Sequence, residues 1–324
     1  MENPLITQCA AVLLDRVPTL EEVERAIGAH WNIAADQSAA QGDGGWAMCG
    51  RGFVVELRSG RAAIVDIMEE PWPDDPRSAP EAVRAAWQGG YFGPSSAPGA
   101  LARAKKQAWA WEEGVAAADR HRAAVRIRTV ITFPEGAPRE LPKDHDPIHE
   151  LTTVTELAGA LLKLGGAMAL FMPGGEVLRS RQHVEEVLHR KTGLGPPPVD
   201  LWVNLRAVGL GEDAGVRWLL LDAVGMKQLR LPDQEAVLAD GQEEPDAVAT
   251  LLTNACIHLA SGKAIPPGST SDDGRGRRWR ASMATGVLAP PGRTVVRWTP
   301  EQSANLGDAE LAALLARQMP AAAR

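Results

Sequence analysis

Polar and aromatic residues of the C-terminal half combine side chains that are suited to binding. The set consists of Trp202, Asn204, Arg206, Asp222 and Gly225, with Asp233 and Glu235 following them. If the segment LWVNLRAV is a strand, the side chains of Trp202, Asn204 and Arg206 lie on one face. A tryptophan supplies contact area, and a guanidinium beside it adds directional donors. The spacing predicts an exposed binding site; a structural Arg206–Asp222 ion pair, with Trp202 packed under a loop, is the alternative.

A second candidate is a glycine-rich loop that runs into a predicted helix. The loop spans Gly89 to Gly99, and Arg103, Lys105 and Lys106 follow in the helix. Free backbone N–H groups and the positive end of a helix dipole favour a bound anion at such a junction. The pattern indicates a phosphate or carboxylate site, and core packing of the tryptophans that follow is the alternative.

The segment DHDPIHE is the best candidate for a metal site. His145 and His149 stand four residues apart, but Pro147 between them prevents the uninterrupted helical face that a zinc helix needs. A solvated loop in which Asp144 or Asp146 caps the following helix explains the segment as well. We therefore expect no metal and no cofactor.

The basic run RGRRWR contains side chains of the types that bind a phosphate or stack on a nucleic-acid base. It spans Arg275 to Arg280, with Trp279 inside it, and Asp272 and Asp273 stand directly before it and neutralise it locally. The chain carries a net charge of −7, which repels polyanions over most of the surface. The sequence favours a protein partner, with no nucleic acid and no membrane surface.

Common catalytic signatures do not occur in the sequence. It contains no G-x-S-x-G elbow, no G-x-x-x-x-G-K-[ST] loop, no H-E-x-x-H helix and no G-x-G-x-x-G that leaves a strand. This favours a non-catalytic protein. An enzyme of unknown reaction, with a site in a cleft between two lobes, is the alternative.

The composition is that of a globular chain in a reducing compartment. Of 324 residues, 45% are hydrophobic and 23% are charged, so a sizeable core is expected. Cys9, Cys49 and Cys256 are far apart, which predicts buried thiols without a disulfide framework. The N-terminus lacks the basic start of a signal peptide, and the apolar window Ala158–Met172 is too short for a bilayer. We expect a cytoplasmic protein.

Periodicity predicts the elements that position these candidates. Strand and helix patterns alternate along both halves of the chain, with hairpin signals between strands. This mixture predicts the α+β class, with two similar lobes of mixed, mainly antiparallel sheet and helices packed on one side. We expect an N-terminal lobe with a Pro/Gly-rich linker and a Trp-rich helix over residues 1–118, a C-terminal lobe over 119–303 and a peripheral alanine-rich tail over 304–324.

Four ordered motifs carry a resemblance to a known family. They are GAMALFMPGGEVL, PPPVDLWVNLRAV, LDAVGMKQLRLPDQE and LLTNACIHLASGKAIPPGSTSDDG. In this order and spacing they resemble the bacterial domain-of-unknown-function 4261 family, over roughly residues 150–300. At the terminal turn, this chain has Gly268-Ser269-Thr270 where the family more often has a Gly-Asp-Thr-like sequence, which removes one carboxylate. The resemblance implies a fold and a bacterial source but no reaction.

Together these features predict a non-catalytic cytoplasmic protein of a bacterium that binds another protein. An immunity or antitoxin protein, whose partner is a toxin, fits this description. The chain has ten tryptophans, and this residue type is enriched at the centres of interfaces. The sequence identifies neither the partner nor the oligomeric state.

Overall fold

Two compact units make up the chain, Met1–Trp202 and Val203–Arg324. The computed structural model describes residues 5–36, 51–57, 61–109, 111–131, 133, 138, 140–190, 195–288, 292–302 and 306–318. Within these residues, each unit contains one mainly antiparallel sheet, of seven strands in the first unit and six in the second. The α+β class expected from the sequence is confirmed.

The first unit combines its sheet with six α-helices among the described residues. The strands are β1 (Leu5–Leu14), β2 (Asn32–Asp36), β3 (Gly52–Glu56), β4 (Ala62–Met68), β5 (Ala123–Ile131), β6 (Ala167–Met172) and β7 (Val177–Arg179). The helices are α1 (Leu20–Gly28), α2 (Glu81–Gln88), α3 (Ala100–Lys106), α4 (Glu113–Arg120), α5 (Pro147–Leu161) and α6 (Arg181–Arg190). The strand order is β2-β3-β4-β5-β1-β6-β7, and each neighbouring pair is antiparallel.

The interior strand β1 explains why the first unit extends to Trp202. It pairs with β5 on one side and with β6 on the other, so strands from both sides of residue 118 belong to one sheet. The boundary expected between residues 118 and 119 is therefore corrected to one between Trp202 and Val203. Local patterns do not show this pairing, because it joins residues as distant in the chain as Leu5 and Ile131.

Helices cover both faces of the first sheet, whereas one side was expected. On one face, Cys9 and Leu13 of β1 belong to a core cluster with residues of α2, α3 and α4. The alternate residues Ala10 and Val12 are also fully buried. α5 packs against β1 and β5, and α1 and α6 pack against α5, so these helices cover the opposite face.

An aromatic cluster fills the core under α2 and α3. The ring centroid of Trp72 lies 5.2 Å from those of Phe92 and Phe171 and 6.3 Å from that of Trp87, each in an edge-to-face arrangement. Edge-to-face contacts align the positive ring edge with the negative face of its neighbour. The segment around Trp72 is thereby fixed against the sheet.

Local sequence explains where two helices of the first unit begin. At α1, the Thr19 hydroxyl accepts the Glu22 N–H over 3.2 Å, and the Glu22 carboxylate accepts the Thr19 N–H over 2.9 Å, which is a capping box. At α5, the Asp146 carboxylate accepts the N–H groups of Ile148 and His149, each over 3.0 Å. Of the two aspartates expected as caps for this helix, Asp146 is therefore the cap.

The second unit has a six-stranded sheet and two helices within the described part of the chain. The strands are β8 (Asn204–Asp213), β9 (Val216–Val224), β10 (Asp233–Ala239), β11 (Thr270–Asp272), β12 (Arg278–Thr285) and β13 (Thr294–Pro300), and the helices are α7 (Pro245–Ala260) and α8 (Asp308–Gln318). The order is β11-β12-β13-β10-β9-β8. Of these pairs, β10 and β13 are parallel and the others are antiparallel.

The alanine-rich C-terminal segment was expected to be peripheral. Its helix instead packs into the second unit. Leu311 and Leu314 of α8 are buried in a cluster with Leu220 of β9 and Val237 of β10. Residues 319–324 of the expected tail lie outside the described part of the chain. The leucines of α8 therefore form the buried side of a helix that packs on β8, and its described alanines are exposed.

Two of the three cysteines lie among the described residues. Cys9 and Cys256 are buried free thiols, as expected, and burial raises the pKa of Cys9 to about 12. Cys49 lies outside the described residues. Among the helices of the described ranges, none has the length and apolar character needed to span a bilayer.

Candidate functional site

Trp202 and Arg206 are buried, so the exposed face expected from the sequence is not formed. Trp202 is 0% exposed and Arg206 is 4% exposed. The indole N–H of Trp202 donates to the Thr155 hydroxyl over 2.8 Å. Trp202 also precedes β8, which begins at the buried Asn204. The three prolines before Val199–Leu201 cannot donate to a sheet ladder, and a 3₁₀ turn replaces the start of the expected strand.

Arg206 and Asp222 form a buried structural ion pair, which is the alternative that the sequence left open. The two residues are directly opposite each other on β8 and β9, and Arg206 Nε donates to Asp222 Oδ2 over 2.9 Å. The other oxygen, Asp222 Oδ1, accepts from the Arg293 guanidinium, which lies just before β13. One buried carboxylate therefore binds two guanidinium groups.

Gly225 belongs to the same network through Asp233. Asp233 Oδ1 accepts the N–H groups of Gly225 and Met226 over 2.9 and 2.7 Å. Its other oxygen lies 2.8 Å from Arg293 Nε, without the alignment of a hydrogen bond, so this contact is ionic. Gly225 has a φ of 138°, which favours glycine. Burial raises the pKa of Asp233 to about 6, against the opposing effect of the Arg293 charge.

A further buried ion pair lies beside this network. Arg297 Nε of β13 donates to Glu235 Oε1 over 2.8 Å, and the Val287 N–H donates to Glu235 Oε2 over 3.0 Å. Glu235 is directly opposite Asp222 on the neighbouring strand, and burial raises the pKa of its carboxyl group. The three carboxylates are thus matched by Arg206, Arg293 and Arg297, and the set stabilises the second sheet.

Sequence reasoning missed Arg297 of β13 and Arg293, which directly precedes this strand. Arg297 is the only charged residue in TVVRWTP, and a single charge in such a strand indicates a buried partner. Arg293 follows a proline-glycine pair and has no local signal. Its role depends on a partner 71 positions earlier in the chain.

The chain itself supplies the anion at the predicted anion site. The Asp74 carboxylate accepts the N–H groups of Leu101 and Ala102 at the start of α3, each over 2.8 Å. The cations are also engaged: Arg103 Nε donates to Glu176 over 2.7 Å, and Lys105 pairs with Asp119. Lys106 is exposed on the last turn of α3. The structure therefore does not bring Arg103, Lys105 and Lys106 together around a shared ligand.

The histidines of DHDPIHE point to different surroundings. His145 Nε2 lies 3.0 Å from Glu150 Oε2, and Glu150 Oε1 accepts from Arg61 over 2.7 Å. His149 is exposed on the first turn of α5. In the part of the chain that the structure describes, no three histidine, cysteine or carboxylate side chains are arranged to hold a metal ion.

The basic hairpin between β11 and β12 does not present its tryptophan. Trp279 is fully buried, and its indole N–H lies 3.3 Å from Asp273 Oδ2. Asp272 and Asp273 accept backbone N–H groups of the turn, including those of Gly274 and Arg275. The aspartates therefore close the turn, and no ring is free to stack on a base there.

A groove beside α5 has described walls and combines three histidines. Its volume is about 890 Å³. His30 follows α1, His149 lies in α5 and His189 lies in α6. Helices α5 and α6 form two walls of the groove. They are close together at Gly159, where an added Cβ atom would lie 2.6 Å from Leu188 Cδ1. Three separate elements thus bring one imidazole each to a single cavity, and the sequence contains no local spacing that indicates it.

Trp109, between α3 and α4, is the most exposed aromatic residue that the structure describes. Its exposed fraction is 61%, and Val115 in the first turns of α4 is also exposed. The other described tryptophans are buried or half-buried. Trp111 differs from Trp109, because its ring lies against Gly114.

No family model, no curated protein and no solved structure matches this chain. The resemblance to the domain-of-unknown-function 4261 family therefore stays a prediction from the four motifs.

Proposed function

We propose that this chain is a non-catalytic cytoplasmic protein that binds another protein, and that Trp109 is the centre of the contact surface. One observation carries the proposal: among the described tryptophans, Trp109 alone is largely exposed. A ring of this size contributes a large apolar area when a partner covers it. Tryptophan is also the residue type most enriched among those that dominate binding energy.

The surroundings of Trp109 resemble the usual arrangement of an interface. Lys106 precedes Trp109 in the chain, Glu112 and Glu113 follow it, and all three side chains are exposed. An apolar anchor within a rim of charged groups is typical of protein contact surfaces, because the rim excludes water from the anchor. Val115, in the first turns of α4, is a further exposed apolar residue six positions after Trp109.

The partner that we propose is a toxin, so that the protein acts as an immunity or antitoxin protein of a bacterium. The resemblance described above supports the bacterial source, and the exposed anchor supports a protein partner. Such a protein acts by covering a surface of its partner and needs no catalytic group of its own.

Substitution of the anchor tests the proposal. We expect Trp109→Ala to weaken binding of the partner by about 30-fold or more, which corresponds to about 2 kcal/mol. The melting temperature is expected to change little, because the ring is exposed. The partner is isolated from extracts of the source cell with the immobilised wild-type protein, purified, and titrated calorimetrically against each variant.

Met283→Ala is the matched control, because Met283 is an exposed apolar residue of the second unit, at 48%. This variant should bind the partner as the wild-type protein does. Equal affinity of the Trp109→Ala and Met283→Ala proteins for the partner would refute Trp109 as the centre of the contact surface. Failure of the wild-type protein to retain any protein at micromolar concentration would refute protein binding altogether.

A further inference from the structure

We propose that the first turn of α6, together with the guanidinium of Arg179, binds a phosphate group. This α6 site consists of Arg179 at the end of β7, Ser180, and the backbone N–H groups of Arg181 and Gln182. It lies in the first unit and does not include Trp109, so the inference is independent of the proposed protein partner.

Arg179 is a buried cation that pairs with no carboxylate in the part of the chain that the structure describes. Its exposed fraction is 9%. Its Nε donates to the Asp200 carbonyl over 3.0 Å, and its Nη1 donates to the Leu178 carbonyl over 2.9 Å. The other buried arginines among the described residues each pair with an aspartate; they are Arg126, Arg128, Arg206 and Arg293. Because buried charges are normally paired, Arg179 indicates an anion from outside the chain.

The third nitrogen of this guanidinium is available to a ligand. Nη2 of Arg179 has no acceptor among the described residues, and protein atoms do not enclose it. The bonds of Nε and Nη1 to main-chain carbonyls fix the orientation of the planar group. Burial lowers the pKa of Arg179, although the charge of Asp200 opposes this effect. A bound anion would offset the cost of the buried charge.

The first turn of α6 provides backbone donors and contains no acidic residue. Ser180 caps the helix, because its hydroxyl accepts the His183 N–H over 3.1 Å and its carbonyl accepts the Val184 N–H. The N–H groups of Arg181 and Gln182 have no acceptor within the described chain, and both residues are exposed. Free N–H groups and the positive end of the helix dipole favour a phosphate group at this position.

Asp200 shows that the guanidinium lies beside this turn. Its carbonyl accepts from Arg179, and its carboxylate Oδ2 lies 3.1 Å from His183 Nε2 in the first turn of α6. One residue thus contacts both parts of the α6 site. The Asp200 carboxylate is directed at the histidine, and its negative charge opposes a bound anion.

A phosphate group matches these donors better than a carboxylate does. The α6 site supplies the Arg179 guanidinium from a side chain and two N–H groups from the main chain. A phosphate monoester has three terminal oxygens and about two negative charges, whereas a carboxylate has two oxygens and one charge. Arginine and the N-terminus of a helix are both common partners of phosphate.

Calorimetric titration of the full chain with inorganic phosphate at constant ionic strength tests the inference. We expect Arg179→Gln to weaken binding by about tenfold or more, because it removes a charge-assisted donor. Arg190→Gln is the matched control, since it makes the same change at an exposed arginine at the other end of α6. This variant should bind phosphate as the wild-type protein does. Near-ultraviolet circular dichroism verifies that each variant is folded.

Arg181 provides a second pair of variants, which tests the main chain. Proline fits the first position of a helix but has no N–H group, so Arg181→Pro removes one donor. Arg181→Ala retains the N–H group, and both variants lose the bond of the Arg181 side chain to Glu185. We expect the Arg181→Pro protein to bind phosphate about threefold or more weakly than the Arg181→Ala protein does.

Three further titrations test the charge and the source of the ligand. Asp200→Asn should tighten phosphate binding, because it removes a nearby negative charge. Acetate should bind the wild-type protein about tenfold or more weakly than phosphate does. Because the α6 site is open, phenyl phosphate should bind at least as tightly as inorganic phosphate, and weaker binding would identify the free ion as the ligand.

The matched pairs also define the results that would overturn the inference. These are equal phosphate affinity of the Arg179→Gln and Arg190→Gln proteins, and equal phosphate affinity of the Arg181→Pro and Arg181→Ala proteins. Equal affinity of the wild-type protein for acetate and phosphate, or no binding of phosphate, would overturn it as well.

Discussion

Arg206 Nε donates to Asp222 Oδ2 over 2.9 Å inside the second unit, and neither side chain is more than 4% exposed. Asp222 also accepts from Arg293, and Arg293 contacts Asp233, so the pair is part of a continuous ionic chain. Buried charges are stable only while their partners are present, because each has lost its hydration. The residues that the sequence indicates for binding therefore have a structural role.

Removal of Arg206 should destabilise the protein. We expect Arg206→Ala to lower the free energy of unfolding by about 3 kcal/mol, because Asp222 stays buried with one guanidinium in place of two. Urea unfolding followed by circular dichroism measures the change. Arg217→Ala is the control, since Arg217 and Asp240 form an ion pair with exposed side chains, at 76% and 52%, and its loss should cost less than about 1 kcal/mol. Equal stability of the two variants would contradict the structural role.

Asp233 should make the stability of the protein fall as the pH rises. Burial raises the pKa of Asp233 to about 6, whereas an aspartate of an unfolded chain titrates near about 3.9. Between these values the folded protein holds a proton that the unfolded chain has lost. The stabilisation of the folded protein by protonated Asp233 is therefore complete below about pH 4 and is lost by about pH 6. Its upper limit is about 3 kcal/mol.

Asp233→Asn isolates this effect, because an amide oxygen can still accept from Gly225 and Met226 but does not titrate. We expect the stability of the variant relative to the wild-type protein to increase between about pH 4 and about pH 6. Urea unfolding at several pH values measures the difference. Parallel pH profiles for the two proteins would show that Asp233 does not retain its proton in the folded state.

His121 should make the protein less stable in acid. Its Nε2 accepts the Trp72 N–H over 2.9 Å, and its Nδ1 contacts the Ala118 carbonyl, so the buried ring is neutral with the proton on Nδ1. Burial lowers the pKa of His121. The folded state therefore resists a proton that the unfolded chain takes up near about pH 6.5. Stability from this group is complete above that pH and is lost as the pH falls through the folded pKa.

His121→Gln should reduce the loss of stability between about pH 7 and about pH 5, because glutamine does not titrate. The near-ultraviolet circular dichroism of the aromatic cluster around Trp72 follows the transition, and His258→Gln, at an exposed histidine of the second unit, should behave as the wild-type protein does. An unchanged acid transition in the His121→Gln protein would exclude this histidine as the cause.

Replacement of a glycine by alanine should have opposite effects on the stability of the protein at Gly52 and at Gly28. An added Cβ at Gly52 would lie 2.0 Å from the Val65 carbonyl oxygen, so Gly52→Ala must separate β3 from β4 and should cost about 1–3 kcal/mol. At Gly28, in α1, the nearest atom is Ile33 Cδ1 at 3.9 Å. Gly28→Ala should therefore stabilise the protein by roughly 0.5–1 kcal/mol. Thermal unfolding compares the two, and changes of the same sign would contradict this account.

The sequence by itself determined the features that depend on near neighbours in the chain. Thr19 caps α1, and Asp146, one of the two aspartates expected as a cap, caps α5; each cap bonds to N–H groups within three residues of itself. The α+β class follows from periodicities that are also local. The alternative of an Arg206–Asp222 pair was open for the same reason, since the two strands are consecutive in the chain.

Only the tertiary structure decided the contacts between distant segments. The pairing of β1 with β5 and β6 placed the boundary at Trp202, because the edge of a strand bonds to whichever strand the whole chain brings beside it. Asp74 occupies the start of α3, and Arg293 completes the network at Asp222. Charge type and spacing do not reveal whether a side chain is exposed. Its burial depends on how the surrounding elements pack, and that packing turned the expected binding face of Trp202 and Arg206 into core.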